Sequence, residues 1–312
     1  MAISPRSIHL IAPSGFCHNS EAAARGIVRL RRCGHSVENT AVIQRRDRRF
    51  AGNDAQRLAD INDLVAMPAL PEIVLAVRGG YGASRLLPGL DYSGLAARLS
   101  DCPTALCGHS DFTAIQLALL AQADVQSFSA PMLASNFGAD VLSTFTVEHF
   151  WQALTSETFT LNWQTTPQQL STSGTLWGGN LTMIASLIGT PWLPEIRDGI
   201  LAIEDVNEHP FRVERMLLQL LHSGVLSKQK AIVIGSFTGG TLSDYDAGYD
   251  FNSVWSLIAH LSGVPIVTGL AFGHGQDTVT LPVGARATLE VRDHNAILTL
   301  SGYPVLKSRN SI

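Results

Sequence analysis

The stretch TALCGHSDFTAIQLALLAQ, residues 104–122, predicts a buried strand that turns sharply into a helix. TALCG is an apolar run of strand length, and the segment that begins at Asp111 is long and apolar enough for a helix. His109 and Ser110 interrupt the apolar pattern at the junction. A strand, a tight turn and a helix in this order form the repeating unit of an α/β protein with a parallel sheet.

The same alternation is present upstream of this unit. SIHLIAP (residues 7–13) and EIVLAVRGG (72–80) predict strands, and SEAAARGIVRLRRCG (20–34) predicts a helix. Alternating strands and helices predict a doubly wound parallel sheet, whose ligand binds outside the carboxyl ends of the strands. Loops rich in glycine or serine follow three of these strands, with the sequences APSGF, VRGGYGAS and CGHSD.

A polar stretch, NWQTTPQQLSTSG (residues 162–174), has few apolar residues and no period, which is typical of a linker. The sequence therefore predicts an N-terminal α/β domain over residues 1–163, a linker over 164–174 and a β-rich α/β domain over 175–312. Near the end of the chain, TVTLPVGARATLEV and AILTLSG predict two strands joined as a hairpin through residues 293–295.

The composition is that of a globular protein with a substantial apolar core. The 312 residues are 46% apolar and 15% charged, and the net charge is −4. This charge gives no reason to expect nucleic acid or an anionic membrane as a partner. No run of about 18 apolar residues predicts a membrane-spanning helix. The four cysteines form no C-x-x-C pair, so neither a disulfide framework nor a metal site is predicted. We expect a cytoplasmic protein without a cofactor.

Ser110 stands where a strand-to-helix elbow would expose its hydroxyl. The next backbone N–H, that of Asp111, would then lie at a helix N-terminus and could stabilise an oxyanion. A second N–H is expected from the loop VRGGYGAS, where Gly80 is the candidate. The elbow is a variant of G-x-S-x-G, because Phe112 replaces the last glycine. On this pattern alone, a helix cap formed by Ser110 or Asp111 is the alternative.

A base and an acid are expected in the second half of the chain. His274 ends an apolar run between two glycines, which permit a sharp turn and a close approach of the backbone. Glu204 and Asp205 end another apolar strand, where two adjacent acids need at least one partner. His109 is a poor candidate for the base, because the neighbour of an elbow serine points elsewhere. A loop histidine without a role and an ordinary pair of acids stay open as alternatives.

Several motifs together resemble the LD-carboxypeptidase family of serine peptidases, the murein tetrapeptide carboxypeptidases. They occur in family order over nearly the whole chain: APSG, VRGGYGASRLLPGLD, GHSDFTAI, GTLWGGNLTMI, LAIEDVNEHPFRVERML and GLAFGHGQDTVTLPVGARATL. The resemblance implies Ser110 as the nucleophile, Glu204 as the acid and His274 as the base. It also implies an N-terminal domain related to class I glutamine amidotransferases and a distinct β-rich C-terminal domain.

The resemblance implies a reaction as well. A metal-free enzyme of this kind hydrolyses the bond between the L-centre of meso-diaminopimelate and a terminal D-alanine, which trims cytoplasmic murein tetrapeptides during cell-wall recycling. Two alternatives are open. One is a peptidase resembling those that give self-immunity to microcin C by hydrolysing aminoacyl nucleotides, and in it Trp177 would stack on a base, with a tryptophan of the core or of a loop as the alternative for this residue. The other is a ligand-binding module without catalysis.

Four residues near the motifs are candidates for substrate binding, namely Arg78, Tyr81, Trp177 and Asn180. Arg78 and Arg85 flank the proposed oxyanion loop, so either guanidinium could reach the free carboxylate of a peptide, and a structural ion pair is the alternative for each. The expected partner is a small peptide substrate, with no nucleic acid and no membrane. A homodimer is expected.

Overall fold

The computed structural model describes residues 4–100 and 102–307. In the first half of the chain, strands and helices alternate in the order β1 (Ser7–Ile11), α1 (Ser20–Arg32), β2 (Ser36–Glu38), α2 (Asp54–Asn62), β3 (Ile73–Ala76), α3 (Tyr92–Leu99), β4 (Ala105–Gly108), α4 (Thr113–Ala123), β5 (Ser127–Ser129) and α5 (Thr144–Thr155). The second half contains β6 (Thr158–Asn180), α6 (Leu181–Ser186), β7 (Gly199–Val206), α7 (Pro210–His222), β8 (Gln229–Thr238), α8 (Phe251–Ser262), β9 (Ile266–Val267), β10 (Leu281–Val283) and β11 (Arg286–Ser301). None of the helices in these described ranges is long and apolar enough to cross a membrane.

Six strands form the first sheet, in the order β10–β5–β4–β3–β1–β2. In β3, Ile73 and Leu75 belong to one apolar core and Val74 and Ala76 to another, so both faces of the sheet are buried. The prediction of an α/β protein with a largely parallel sheet is confirmed. One correction applies: β10, from the second half of the chain, joins the edge of this sheet antiparallel to β5. The relationship to glutamine amidotransferases stays a prediction.

Five strands form the second sheet, in the order β11–β6–β7–β8–β9, and this sheet is nearly closed and barrel-like. Its strand β7 is flanked by parallel neighbours on both sides and is buried at every position except its last. Glu204 and Asp205 lie near the carboxyl end of this strand. A buried strand that is paired on both sides therefore carries the two acids that the sequence singled out.

The predicted linker is wrong, because residues 164–174 lie inside strand β6. This part of β6 pairs antiparallel with β11, for example Thr172 with Leu289 and Gly174 with Ala287. A strand in such a ribbon satisfies its backbone N–H and C=O groups through its neighbour, while many of its side chains face solvent. The segment therefore needs few apolar residues to form a strand, and its polar composition resembled that of a loop.

The hairpin predicted at residues 293–295 is also wrong. Residues 286–301, on both sides of this site, form the single strand β11, which pairs with β6 on both sides of a register shift between Asp293 and Asn295, and the start of the first run forms β10. Asp293 has a φ of 55°, so the turn-like residues produce a local irregularity in the strand and do not reverse it. The domain boundaries at residues 163 and 175 stay a prediction, and β10 shows that the later part of the chain also contributes to the first sheet.

His35 is a buried base whose protonation is expected to weaken the fold. The residue is 5% exposed, its Nδ1 accepts a hydrogen bond from the backbone N–H of Arg6 (3.1 Å), and its ring stacks on Trp151. Burial and the charge of Arg6, opposed by that of Glu72, hold the pKa of His35 below its ordinary 6.5. The unfolded chain then binds the proton more readily than the folded chain. The free energy of unfolding therefore decreases as the pH falls below about 6.5.

We expect the His35→Phe variant, which keeps a stacked ring, to lose less unfolding free energy than the wild type between about pH 7.5 and pH 5. Urea unfolding at several pH values measures this difference. His260 is an exposed residue of α8, so His260→Gln serves as the control and should follow the wild-type curve. Parallel curves for wild type and His35→Phe would show that His35 does not cause the acid sensitivity.

Candidate active site

Ser110 occupies a strained elbow between β4 and α4. Its φ is 62°, in the left-handed region that residues other than glycine seldom adopt, whereas His109 before it is extended. One turn of 3-10 helix, Ser110–Phe112, leads from this position into α4. Such backbone strain is typical of a nucleophile elbow, which lifts a serine side chain above the end of the sheet.

The structure does not support the alternative of a helix cap. Neither the 3-10 turn nor α4 has a side-chain cap at its N-terminus. The Asp111 carboxylate instead accepts a hydrogen bond from the backbone N–H of Ala83 at 2.9 Å. Asp111 therefore ties the elbow to the loop that follows β3, and the Ser110 hydroxyl is not used to start the helix.

The glycine loop after β3 passes close to Ser110. A Cβ atom at Gly79 would lie 2.8 Å from Ser110 Oγ and 3.3 Å from the backbone nitrogen of Asp111. A side chain there would fill the space beside the hydroxyl, so glycine keeps that space open. Gly80, the candidate oxyanion donor, has a φ of 107° and packs against the Arg78 guanidinium. Its role as a donor stays a prediction.

A hydrogen bond joins the predicted base to the predicted acid. The distance between His274 Nδ1 and Glu204 Oε2 is 2.7 Å. Glu204 is 1% exposed at the end of β7, while His274 is partly exposed in the loop between β9 and β10. Gly273 has a φ of 130°, and a Cβ atom there would lie 2.8 Å from Glu204 Oε2. The glycine before His274 therefore allows the loop to approach the carboxylate this closely.

The charges of this pair support each other. Burial raises the pKa of Glu204, as does the charge of Asp205, and the contacts with His274 and Asn180 oppose that rise. For His274, burial lowers the pKa, but the hydrogen bond and charge of Glu204, aided by Asp205, outweigh it and raise the pKa overall. The Glu204 carboxylate thus stabilises an imidazolium at His274, which is what a general base becomes when it accepts a proton.

Ser110 and His274 line one cleft with a volume of about 600 Å³. Cys17, Arg78 and Asn136 are among the other residues of its walls, and they lie in the loops after β1, β3 and β5. The cleft is therefore at the carboxyl ends of the parallel strands of the first sheet, where the sequence predicted a ligand. The loop that carries His274 contributes His274, Gly275 and Gln276 to the wall of the cleft.

Asn180 lies behind the acid and not in the cleft. It is 6% exposed, and its side-chain N–H groups donate to Glu204 Oε1 (3.3 Å) and Asp205 Oδ1 (2.9 Å). Its backbone N–H donates to Thr113 Oγ1 at the start of α4, at 3.1 Å. Asp205 also accepts hydrogen bonds from the N–H and hydroxyl of Thr182. These contacts suit positioning of Glu204 against the nucleophile helix better than the predicted contact with substrate.

Arg78 is the candidate for substrate binding that the structure places in the cleft. The side chain is half-buried, and burial lowers the pKa of Arg78. Its guanidinium donates to the backbone C=O of Phe16 at 3.1 Å. No carboxylate of the described residues lies within ion-pair distance of it, so its charge is available to an anionic group of a ligand.

The other candidates for substrate binding lie elsewhere. The prediction for Trp177 is wrong, because this side chain is 1% exposed and donates its indole N–H to Gln229 Oε1 at 2.8 Å. Tyr81 is exposed on the glycine loop beside Arg49 and is not part of the cleft wall. Arg85 is ion-paired with Asp54 at 2.8 Å. Of the two flanking arginines, Arg78 therefore fits a carboxylate site and Arg85 fits a structural ion pair.

His109 is the residue whose place in the site the sequence reasoning missed. Its ring centroid lies 4.8 Å from that of His274, and the residue is 6% exposed. Burial and the charge of His274, opposed by the side chain of Asn136, lower the pKa of His109 to about 3. The side chains of His109, Glu204 and His274 offer ligand atoms within 4.8 Å of one another. The sequence did show a histidine next to the serine, but whether its side chain points toward His274 depends on the fold.

The backbone strain at Ser110 is expected to cost folding stability, because the active serine requires a conformation that suits glycine better. Glycine adopts a φ of 62° without the clash that a Cβ atom causes. We expect Ser110→Gly to be about 1 kcal/mol more stable than Ser110→Ala, although both lack the hydroxyl. Denaturant unfolding of the two variants measures the difference. Equal stabilities, or a less stable glycine variant, would show that position 110 is not strained.

The chain matches known proteins over most of its length. Residues 8–130 match the LD-carboxypeptidase N-terminal domain, and residues 173–289 match the LD-carboxypeptidase C-terminal domain. A murein tetrapeptide carboxypeptidase of Pseudomonas aeruginosa is 32% identical over 258 residues, which cover 80% of this chain and 81% of that protein. A microcin C7 self-immunity protein of Escherichia coli is 28% identical over 308 residues, which cover 88% of this chain and 87% of that protein.

Solved structures give the same result. The crystal structure of a muramoyltetrapeptide carboxypeptidase from Oxalobacter formigenes is 46% identical in sequence, with a TM-score of 0.89 over 96% of this chain and 100% of that one. Structures of the microcin C7 self-immunity protein share the fold, with a TM-score of 0.86 at 23% identity over 97% of this chain and 98% of that one. The resemblance predicted from the motifs is confirmed. The chain belongs to the LD-carboxypeptidase family, a family of peptidases and hence of hydrolases.

Proposed function

We propose that this protein is a serine LD-carboxypeptidase that releases the terminal D-alanine from murein tetrapeptides in the cytoplasm. The observation that carries the proposal is the hydrogen-bonded pair of His274 and Glu204, which shares one cleft with the strained Ser110. The relatives named as murein tetrapeptide and muramoyltetrapeptide carboxypeptidases support the substrate class.

The reaction is acyl transfer through Ser110. His274 takes the hydroxyl proton as Ser110 Oγ attacks the carbonyl carbon of the scissile amide. The same proton then passes to the amine of D-alanine, the C–N bond breaks, and an ester to Ser110 remains. Water, deprotonated by His274, attacks this ester, and the imidazolium returns the proton to Ser110 Oγ as the ester bond breaks and the tripeptide leaves. Glu204 keeps the imidazole in the tautomer that accepts at Nε2 and stabilises the imidazolium in each half-reaction.

Two backbone N–H groups would stabilise the tetrahedral oxyanion. The N–H of Asp111 lies at the start of the helical segment after the elbow, where the helix dipole favours negative charge. Gly80 on the facing loop would supply the second. Asn180 and Asp205 would act indirectly, as positioning residues, because they hold Glu204 on β7 beside the helix that begins at Thr113.

An enzyme that removes one terminal residue must recognise the end of the chain. We assign the terminal carboxylate to the unpaired guanidinium of Arg78. A tetrapeptide ending in free D-alanine is therefore expected to have a kcat/KM about 10- to 150-fold higher than the same peptide amidated at that end, the cost of a lost charge-assisted contact. Mass spectrometry of the products measures both rates. Equal cleavage of acid and amide would contradict a carboxypeptidase, and preference for an L-alanine terminus would contradict LD specificity.

A matched pair of arginine variants tests the assignment of the carboxylate. Arg78→Gln should reduce the difference in rate between the acid and the amide, mainly through KM. Arg85→Gln is the control, because Arg85 flanks the same loop but is paired with Asp54. Discrimination that is unchanged in Arg78→Gln would place the carboxylate site elsewhere while leaving the triad unaffected.

The alternative of a microcin C self-immunity peptidase has less support. Its predicted base-stacking residue, Trp177, is buried in the core and already hydrogen-bonded. Incubation with an aminoacyl sulfamoyl adenosine, next to a murein tetrapeptide, separates the two activities, and we expect cleavage of the peptide. The homodimer stays a prediction, and sedimentation velocity tests it.

A further inference from the structure

We propose that His109, His274 and Glu204 form a binding site for Zn²⁺, and that the bound ion inhibits the peptidase. The inhibition rests on the proposed role of His274 as the base, whereas binding of the ion does not. No motif in the sequence indicated this site, because its three residues come from three separate segments: the turn after β4, strand β7 and the loop between β9 and β10.

The three side chains already lie near the spacing that Zn²⁺ requires. Each offers a ligand atom within 4.8 Å of those of the other two. Ligand atoms around a tetrahedral Zn²⁺ are about 3.4 Å apart, because each lies about 2.0–2.1 Å from the ion. Rotation of the partly exposed His274, which glycines flank on both sides, can bring its ring toward the ion, and rotation of the Glu204 carboxylate about its side-chain bonds must supply the approach to His109.

His109 supplies an independent indication of a ligand. Its Nε2 is buried and forms no hydrogen bond among residues 4–100 and 102–307, although the side chain of Asn136 lies near enough to the ring to oppose the lowering of its pKa. A buried polar atom without a partner is costly, and such atoms in a folded protein call for an explanation. His109 also lines the cleft, next to the ring of His274. An ion at this position would give the nitrogen a partner.

The set of ligand atoms selects the kind of metal. Two imidazoles and one carboxylate form a common Zn²⁺ site, in which water occupies the fourth position. Mg²⁺ prefers oxygen ligands and octahedral geometry, so one carboxylate and two nitrogens suit it poorly. The fourth position can open toward the cleft, since both histidines line it. We therefore expect Zn²⁺ to bind and Mg²⁺ to have no effect.

Inhibition follows whichever nitrogen of His274 binds the ion. A metal on Nε2 uses the lone pair that would accept the proton of Ser110. A metal on Nδ1 displaces the proton shared with Glu204, and the ring then keeps its other proton on Nε2, which becomes a donor. In both cases the imidazole can no longer act as the general base.

Calorimetric titration with ZnCl₂ tests binding without reference to turnover. We expect one site in the wild-type protein and in Ser110→Ala. In His109→Phe, which keeps a ring beside His274, the affinity should fall by about 100-fold or more. Cys17 and His18 are other possible ligands in the cleft, so Cys17→Ser and His18→Asn are the controls and should keep the wild-type affinity. Unchanged affinity in His109→Phe, or lost affinity in either control, would overturn the site.

Activity assays then test the consequence of binding. Each variant is compared with its own rate in the absence of metal. Zn²⁺ should inhibit the wild type but not His109→Phe at the same concentration, a chelator should restore the rate, and MgCl₂ should do nothing. Binding of Zn²⁺ through His109 without inhibition, or activation by Zn²⁺, would overturn the inhibitory role. Failure of the serine mechanism is detected separately, by an active Ser110→Ala variant.

Discussion

We expect Ser110→Ala to hydrolyse a murein tetrapeptide about 10⁶-fold more slowly than the wild type, the scale on which serine hydrolases lose kcat without their nucleophile. Ser110 is held at a φ of 62°, and Gly79 leaves open space beside its hydroxyl. Because its hydroxyl does not cap α4, the variant should keep its fold. Single-turnover kinetics and thermal unfolding measure the two effects.

Ser227→Ala is the matched control for this loss. Ser227 is exposed in the short turn before β8, and its hydroxyl donates only to the backbone C=O of Gly224. Its replacement should leave kcat within about twofold, since surface substitutions away from special features have small effects. Substantial turnover by a folded Ser110→Ala protein would contradict the nucleophile, and a Ser110→Cys variant that forms a thioester would support it.

His274→Ala is expected to reduce kcat nearly as much as Ser110→Ala, again by about 10⁶-fold. The hydrogen bond of 2.7 Å to Glu204 raises the pKa of His274 against the opposing effect of burial, so the carboxylate stabilises the imidazolium that forms when His274 accepts the serine proton. Glu204→Gln should be less damaging, by about 10⁴-fold, because the imidazole remains but its tautomer is wrong. Pre-steady-state kinetics with each variant measure these losses.

The three residues should act as one unit. The double variant of Ser110→Ala and His274→Ala should therefore be no slower than Ser110→Ala alone, because a base without a nucleophile contributes little. If the loss of kcat in the double variant equalled the product of the two single losses, Ser110 and His274 would have independent roles. If His274→Ala kept within about tenfold of wild-type activity, the assigned base would be wrong. His109, whose ring lies 4.8 Å from that of His274, would then be the next histidine to test.

Local sequence patterns were sufficient to predict much of the first sheet and the elbow at Ser110. The predicted strands and helices of the first half occur because each apolar run and each helical period reports on contacts close in sequence. The polar interruption at Ser110 likewise marked a turn, which the positive φ reflects. Other elements could not be predicted from a local pattern, because contacts with distant residues determine them. The polar part of β6, residues 164–174, pairs through backbone hydrogen bonds with β11, more than 100 residues away, and its own side chains give no apolar pattern that would predict a strand.

The candidate site divides in the same way. Ser110, Glu204 and His274 became candidates because each stands at the end of an apolar run, and the resemblance to the family then implied their roles. The contacts between these residues could not be predicted, since Glu204 and His274 are 70 residues apart in sequence and are brought together by the folded chain. The orientation of a side chain could not be predicted either: Trp177, a candidate for substrate binding, is buried in the core.

The sequence by itself determined the family, the α/β class and the chemical types of residue at the ends of the strands. These follow from short-range apolar patterns and from motifs read in order along the chain. Only the tertiary structure decided which groups are buried, which are paired and which remain free. Asn180 lies behind Glu204, Arg78 keeps its charge unpaired in the cleft, and His109 lies against His274. Burial and pairing depend on residues distant in sequence, because they arise when separate segments pack together and exclude water.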